Sequence, residues 1–82
     1  MYNIEFSKTA EKQLYKLESD IQARIISTLE RCKIRPHHYV KRLVSMPYYK
    51  LRIGDYRAIL DIKNEKLLIL VIEIGHRKDV YE

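Results

Sequence analysis

Between residues 48 and 74 the chain leaves room for little except strands and tight turns. Residues 48–53, 56–62 and 67–74 are apolar-rich runs separated only by Gly54-Asp55 and by residues 63–66. Connections this short join antiparallel neighbours, because a parallel crossover needs about a dozen residues or more. A Gly-Asp pair with glycine first suits a two-residue hairpin turn whose first central residue takes a positive φ. The run 67–74 is almost wholly apolar, as in a strand covered on much of both faces.

A meander of this kind must bury one face, and the first part of the chain supplies the cover. Residues 1–6 alternate as a strand through Tyr2, Ile4 and Phe6. Ser7 or Thr9 can cap a helix reaching about Leu17, with Ala10, Leu14 and Leu17 on one face. Ser19 and Gln22 have the spacing of a capping box. They open a second helix with the stripe Ile21, Ile25, Ile26, Leu29 and Cys32. Residues 35–47 hold both prolines and His37-His38, which predicts an irregular segment with room for a short strand or turn near 40–44. The order β-α-α-β-β-β implies an α+β fold, an antiparallel sheet with a helix hairpin on one face and the other face free. A length of 82 residues leaves no space for a second core, so 1–82 reads as one domain.

Composition narrows the function classes. Apolar residues make up 46% and charged residues 33%, which is globular and not disordered. The net charge is +5, yet residues 31–57 alone hold eight Lys/Arg against the single acid Asp55, a local +7. Such a concentration is the electrostatic footprint of a polyanion partner. The bland alternative is a soluble surface with uneven charge. Cys32 is the only cysteine, which excludes an intrachain disulfide and a cysteine-based metal cage and fits a reducing compartment. The N-terminus lacks the basic-then-apolar pattern of a signal peptide, and the apolar run 67–72 is too short to span a bilayer. A cytoplasmic protein without a membrane partner is expected. His37-His38 lack the spacing of a helical metal pair, and no glycine-rich phosphate loop, carboxylate pair or Ser/His/Asp pattern occurs. No cofactor and no metal are expected.

Strand register sharpens the charge argument. With Gly54-Asp55 as the turn, Arg52 lies across from Arg57, and Lys50 stands two residues up the same face. The same alternation sends Leu51, Ile53, Ala58, Leu60 and Ile62 to the helix-covered side. Like charges directly opposite in a ladder are destabilising, so a chain that keeps them has an anion to place there. The alternative is neutralisation by Asp61 or Glu73 in a surface network. The end of the last strand returns toward this hairpin, so His76, Arg77 and Tyr81 can join the same cleft. Lys41, Arg42, Tyr48 and Lys78 are further candidates for RNA contact, with Tyr48 on the open side and Tyr49 toward the core.

Taken together, residues 46–57, MPYYKLRIGDYR, and 74–81, IGHRKDVY, resemble the RelE/ParE toxin superfamily, and the RelE branch most. The resemblance extends over essentially the whole chain. It implies the toxin of a type II toxin–antitoxin system, a ribosome-dependent endoribonuclease that cuts mRNA in the A site and inhibits translation. It also implies a RelB-like antitoxin partner that silences the enzyme. Carried over by position, the catalytic roles fall on Lys50, Arg52, Arg57, Arg77 and Tyr81, with His76 where some members have lysine. This chain departs from better-studied members at Tyr48, where they place a second lysine.

The implied chemistry transfers the phosphodiester to its own 2′-oxygen. A base takes the 2′-OH proton, the arginines hold the charge that grows on phosphorus, and the leaving 5′-oxygen takes a proton. Lys50 is a candidate base, and Tyr81 or His76 can assist proton transfer. Reliance on the ribosome to orient the RNA would suit a site without a strong acid–base pair. Two other readings stay open: a ParE-like toxin that binds DNA gyrase, and a non-catalytic RNA- or partner-binding module.

Overall fold

The computed structural model describes residues 1–76, and Arg77, Lys78 and Tyr81 lie outside the described residues. Within them the chain forms β1 (Asn3–Phe6), α1 (Lys8–Tyr15), α2 (Ser19–Cys32), β2 (Val40–Arg42), β3 (Tyr49–Ile53), β4 (Tyr56–Lys63) and β5 (Leu68–His76). Short 3-10 turns, Pro36–His38 and Asn64–Lys66, precede β2 and β5. The strands make one sheet in the order β1-β5-β4-β3-β2. The short strand for which the sequence left room is β2, antiparallel to β3 at the sheet edge.

One pairing departs from an all-antiparallel sheet: β1 runs parallel to β5. Asn3 and Ser7 donate from their backbone nitrogens to the carbonyls of Leu67 and Val71, at 2.8 and 2.9 Å. In this register Ile4 and Phe6 pack against the main core.

Ser7, one of the two residues suited to capping α1, takes that role. Its hydroxyl accepts from the Ala10 nitrogen at 3.0 Å and donates to the Ile72 carbonyl at 2.7 Å. The second bond answers an irregularity: Ile59 pairs with Glu73 but Leu60 with Val71, so Ile72 is an extra residue on β5. A bulge leaves ladder groups without strand partners, and here α1 supplies them. Gln13 completes the repair by accepting from the Ile74 nitrogen at 2.6 Å.

The capping box at Ser19 and Gln22 does not form. Glu18 is the N-cap of α2, without a side-chain bond, and Ser19 is already helical. The Gln22 amide donates instead to the Leu17 carbonyl at 2.7 Å, a group left over where the chain turns between the helices.

The core lies between the helix hairpin and one sheet face. Ala10 and Leu14 of α1 and Ile25, Leu29 and Cys32 of α2 meet Leu51, Ile53, Ala58, Leu60 and Ile62. This is the expected alternation. Ile26, predicted for the buried stripe, is 44% exposed because it sits at the margin of that face. The opposite sheet face is not wholly free. Leu43 and Ile59 are buried there, with Met46, Tyr48 and Ile72 packed on them. Leu43 donates to the Tyr48 carbonyl at 3.0 Å, which folds the residues between into a loop over Ile59. Among the described residues no helix is long and apolar enough to cross a membrane.

A candidate polyanion cleft on the sheet

The hairpin between β3 and β4 sets the register of the cations. Gly54 has φ +59 while Asp55 is not among the positive-φ residues, the combination of a type II′ turn. A side chain at 54 would be strained by that φ, and its Cβ would stand 3.1 Å from Arg24 Nη1. With the turn fixed, Ile53 pairs with Tyr56 and Arg52 with Arg57. On the next ladder Lys41 pairs with Lys50. Two like-charged cross-strand pairs therefore stand side by side on the face away from the helices.

Lys41, Lys50, Arg52 and Arg57, together with Tyr39, line a cleft of about 290 Å³. Arg52 and Lys41 are exposed and Lys50 is half-buried. Arg57 is only 6% exposed, the one buried charged side chain among the described residues. A guanidinium stays ionised under all ordinary conditions, so its burial fixes a positive charge at the cleft floor. Neighbouring acids among the described residues do not neutralise Lys41, Lys50 or Arg52. Asp61 pairs with Lys63 at 3.2 Å. Among the described residues no carboxylate forms an ion pair with Lys41, Lys50 or Arg52.

The matching sequence family is described as ParE toxin of type II toxin–antitoxin system, parDE, and it covers residues 4–81. The chain belongs to this toxin family. A RelE-like toxin protein of Escherichia coli is 31% identical, over 98% of this chain and 90% of that protein. The mRNA interferase toxin RelE of Escherichia coli K12 is 29% identical, over 94% and 84%. Among solved structures, the toxin–antitoxin complex RelBE2 of Mycobacterium tuberculosis matches with TM-score 0.83 at 26% identity, covering 95% of this chain and 93% of that one. The intact Escherichia coli RelBE complex matches with TM-score 0.79 at 28% identity, over 93% and 96%. The strand, helix hairpin and mostly antiparallel sheet are thus a RelE-type toxin fold.

On this toxin scaffold the residues singled out in the sequence divide into four groups. Lys50, Arg52, Arg57 and Lys41 come together in the cleft. Tyr48 shares their face but is half-buried against Leu43 and Ile59, committed to the loop that borders the cleft. Arg42 and His76 stand elsewhere. Arg42 pairs with Tyr49, a core-facing residue, and its guanidinium lies over that ring at 5.8 Å from the centroid. His76 follows Ile74 by two residues, so alternation puts it on the helix side, where its ring meets Tyr56 edge-on at 5.6 Å. Neither lines the cleft, because an odd step along a strand changes the face. Lys78, Arg77 and Tyr81 fall outside the described residues.

The residue missed was Tyr39. It precedes β2 and shares parity with Lys41, a signal that was present in the sequence but needed the short strand to be recognised first.

Cys32 has no part in this chemistry. Burial against the core raises its thiol above the ordinary range, and the nearby Arg31 charge offsets this only in part. It remains a protonated core residue at neutral pH.

Proposed function

We propose that this ParE-family toxin is a ribosome-dependent endoribonuclease that cleaves mRNA in the A site, stops translation, and is held inactive by a RelB-like antitoxin in the cytoplasm. The observation that carries the reading is the pair of like-charged rungs, Arg52–Arg57 and Lys41–Lys50, facing one cleft. Repulsion built into a ladder is worth keeping where a phosphodiester is to be seated. The RelE relative named as an mRNA interferase, and the neighbours solved as RelBE complexes, support the substrate and the partner.

In this reading Arg57, fixed at the cleft floor, and Arg52 hold the scissile phosphate and the charge that grows on it. Lys50, after giving up its own proton to solvent, takes the 2′-OH proton, the 2′-oxygen bonds to phosphorus, and the bond to the 5′-oxygen breaks. The products are a 2′,3′-cyclic phosphate and a 5′-hydroxyl end, whose proton comes from a general acid. Tyr81 and Arg77 are the proposed completing residues. His76, directed to Tyr56, is not given a role in proton transfer. Lys41 and Lys78 contact neighbouring phosphates. Reaction depends on the ribosome because orientation of the RNA is left to it.

The family description also favours a second reading, a ParE-like toxin acting on DNA gyrase. Primer extension on messages from cells induced for the toxin alone separates the two. Cuts positioned by reading frame, lost with Arg52→Ala and reduced at least about 100-fold with Arg57→Ala, are expected. Intact messages alongside gyrase-dependent DNA damage would favour the second reading.

A further inference from the structure

We propose that Tyr39 is the base-stacking platform of the cleft, a positioning residue that holds the nucleobase next to the phosphate seated on Lys50, Arg52 and Arg57. The inference rests on the cleft being an RNA site and adds the group that holds the base. Six tyrosines fall among the described residues, and five are explained elsewhere or lie away from the cleft. Tyr2 donates to Asn64, Tyr48 and Tyr49 pack on the two apolar clusters, Tyr56 meets His76, and Tyr15 lies on the exposed face of α1. Tyr39 belongs to neither apolar cluster, is 47% exposed, and its hydroxyl has no hydrogen-bond partner among the described residues.

Its backbone, by contrast, is firmly held. The Tyr39 nitrogen donates to the carbonyl of buried Pro36 at 3.1 Å. Two residues earlier, His37 Nε2 bonds Asn64 Oδ1 at 3.0 Å and the His37 ring meets Tyr49 edge-on at 5.2 Å. A ring anchored at its root, unused by the core and placed among four cations has the attributes of a stacking surface for single-stranded nucleic acid. Lys41 and Lys50 supply phosphate contacts on the same wall, so one nucleotide is gripped at both its charged and its aromatic part. Every base has a π-face, so this grip favours an unpaired base over a paired one and tolerates most identities.

The test is fluorescence anisotropy with a short, fully 2′-O-methylated single-stranded RNA, which cannot be cleaved, on the wild type, Y39L, Y39F and R52A. Matched thermal unfolding shows that each variant is folded. Y39L is expected to weaken binding by roughly 5- to 100-fold, and Y39F to restore it, because stacking needs the ring and not the hydroxyl. The slope of affinity against salt should be unchanged in Y39L and shallower by about one in R52A. An oligonucleotide with an abasic position moved along it should, at one position, bind wild type and Y39L alike. Wild-type affinity in Y39L, with R52A still weakened, overturns the role of Tyr39 while leaving the RNA site standing. Loss of antitoxin binding in Y39L with unaltered RNA affinity overturns it in favour of a protein contact. No RNA affinity in the wild type, or none affected by R52A, overturns the RNA site itself.

Discussion

At the scale of single residues, two side chains show how local conformation and local solvation translate into measurable stability. Leu67 closes the turn between β4 and β5 with φ 50, the only positive φ at a non-glycine among the described residues, and its side chain is 46% exposed. A left-handed conformation costs an L-residue roughly 1–2 kcal/mol, and asparagine tolerates it better. Leu67→Asn should therefore stabilise the fold by up to about 1 kcal/mol, seen as a higher denaturant midpoint with an unchanged slope. Cys32 makes the complementary point about burial. Its thiol titrates higher in the folded chain than in the unfolded one, so the folded state binds the proton more tightly at alkaline pH. The stability from this preference is complete below the ordinary thiol range and declines as pH rises through the folded value. Cys32→Ala should flatten that alkaline decline in a pH series of unfolding curves, although the cavity it leaves lowers stability at every pH.

At the scale of elements, the junction of α1 with the bulged β5 carries unusual weight for so short a helix. One hydroxyl, that of Ser7, serves the helix N-terminus and the carbonyl exposed by the bulge. Removing it leaves both unsatisfied. Ser7→Ala is expected to cost roughly 1–3 kcal/mol, whereas Thr9→Ala, on the exposed side of the same turn, should stay within about 0.5 kcal/mol. Equal effects in thermal unfolding would show that the bulge bonds do not couple helix to sheet. The bulge also matters to the cleft. Beyond it β5 continues in register, so Gly75, which has no side chain, faces Arg57.

At the scale of the whole molecule, the charge distribution sets stability against binding. The chain carries +5 overall, and four of its cations crowd one cleft in two opposed pairs. Like charges across a ladder repel, and counterions or a bound polyanion relieve that repulsion. Thermal midpoint should therefore rise with salt. Arg52→Gln should stabilise the free chain by some tenths of a kcal/mol while weakening RNA binding, a trade of stability for function visible in paired calorimetry and binding measurements. A midpoint that is insensitive to both salt and Arg52→Gln would show that the opposed pairs carry no repulsion.

Much of this was legible from residue order alone, because strand alternation and turn chemistry are local. The Gly54-Asp55 turn puts Arg52 opposite Arg57 whatever else the chain does, and the apolar residues between them define the buried face. Ser7 and Thr9 were equal as caps on local grounds, and only the carbonyl of Ile72, 65 positions away in the chain, distinguishes them. The parallel partner of β1, the loop that covers Ile59 and the bulge at Ile72 arise from long-range packing, for which short sequence windows hold no signal. The same division runs through the cleft. Local alternation assembled Lys50, Arg52 and Arg57. Tertiary structure brought Lys41 and Tyr39 to them through a three-residue edge strand, and turned Arg42 and His76 to the other side. A short strand has too little pattern to announce its face. Its face is decided by the neighbour with which it pairs.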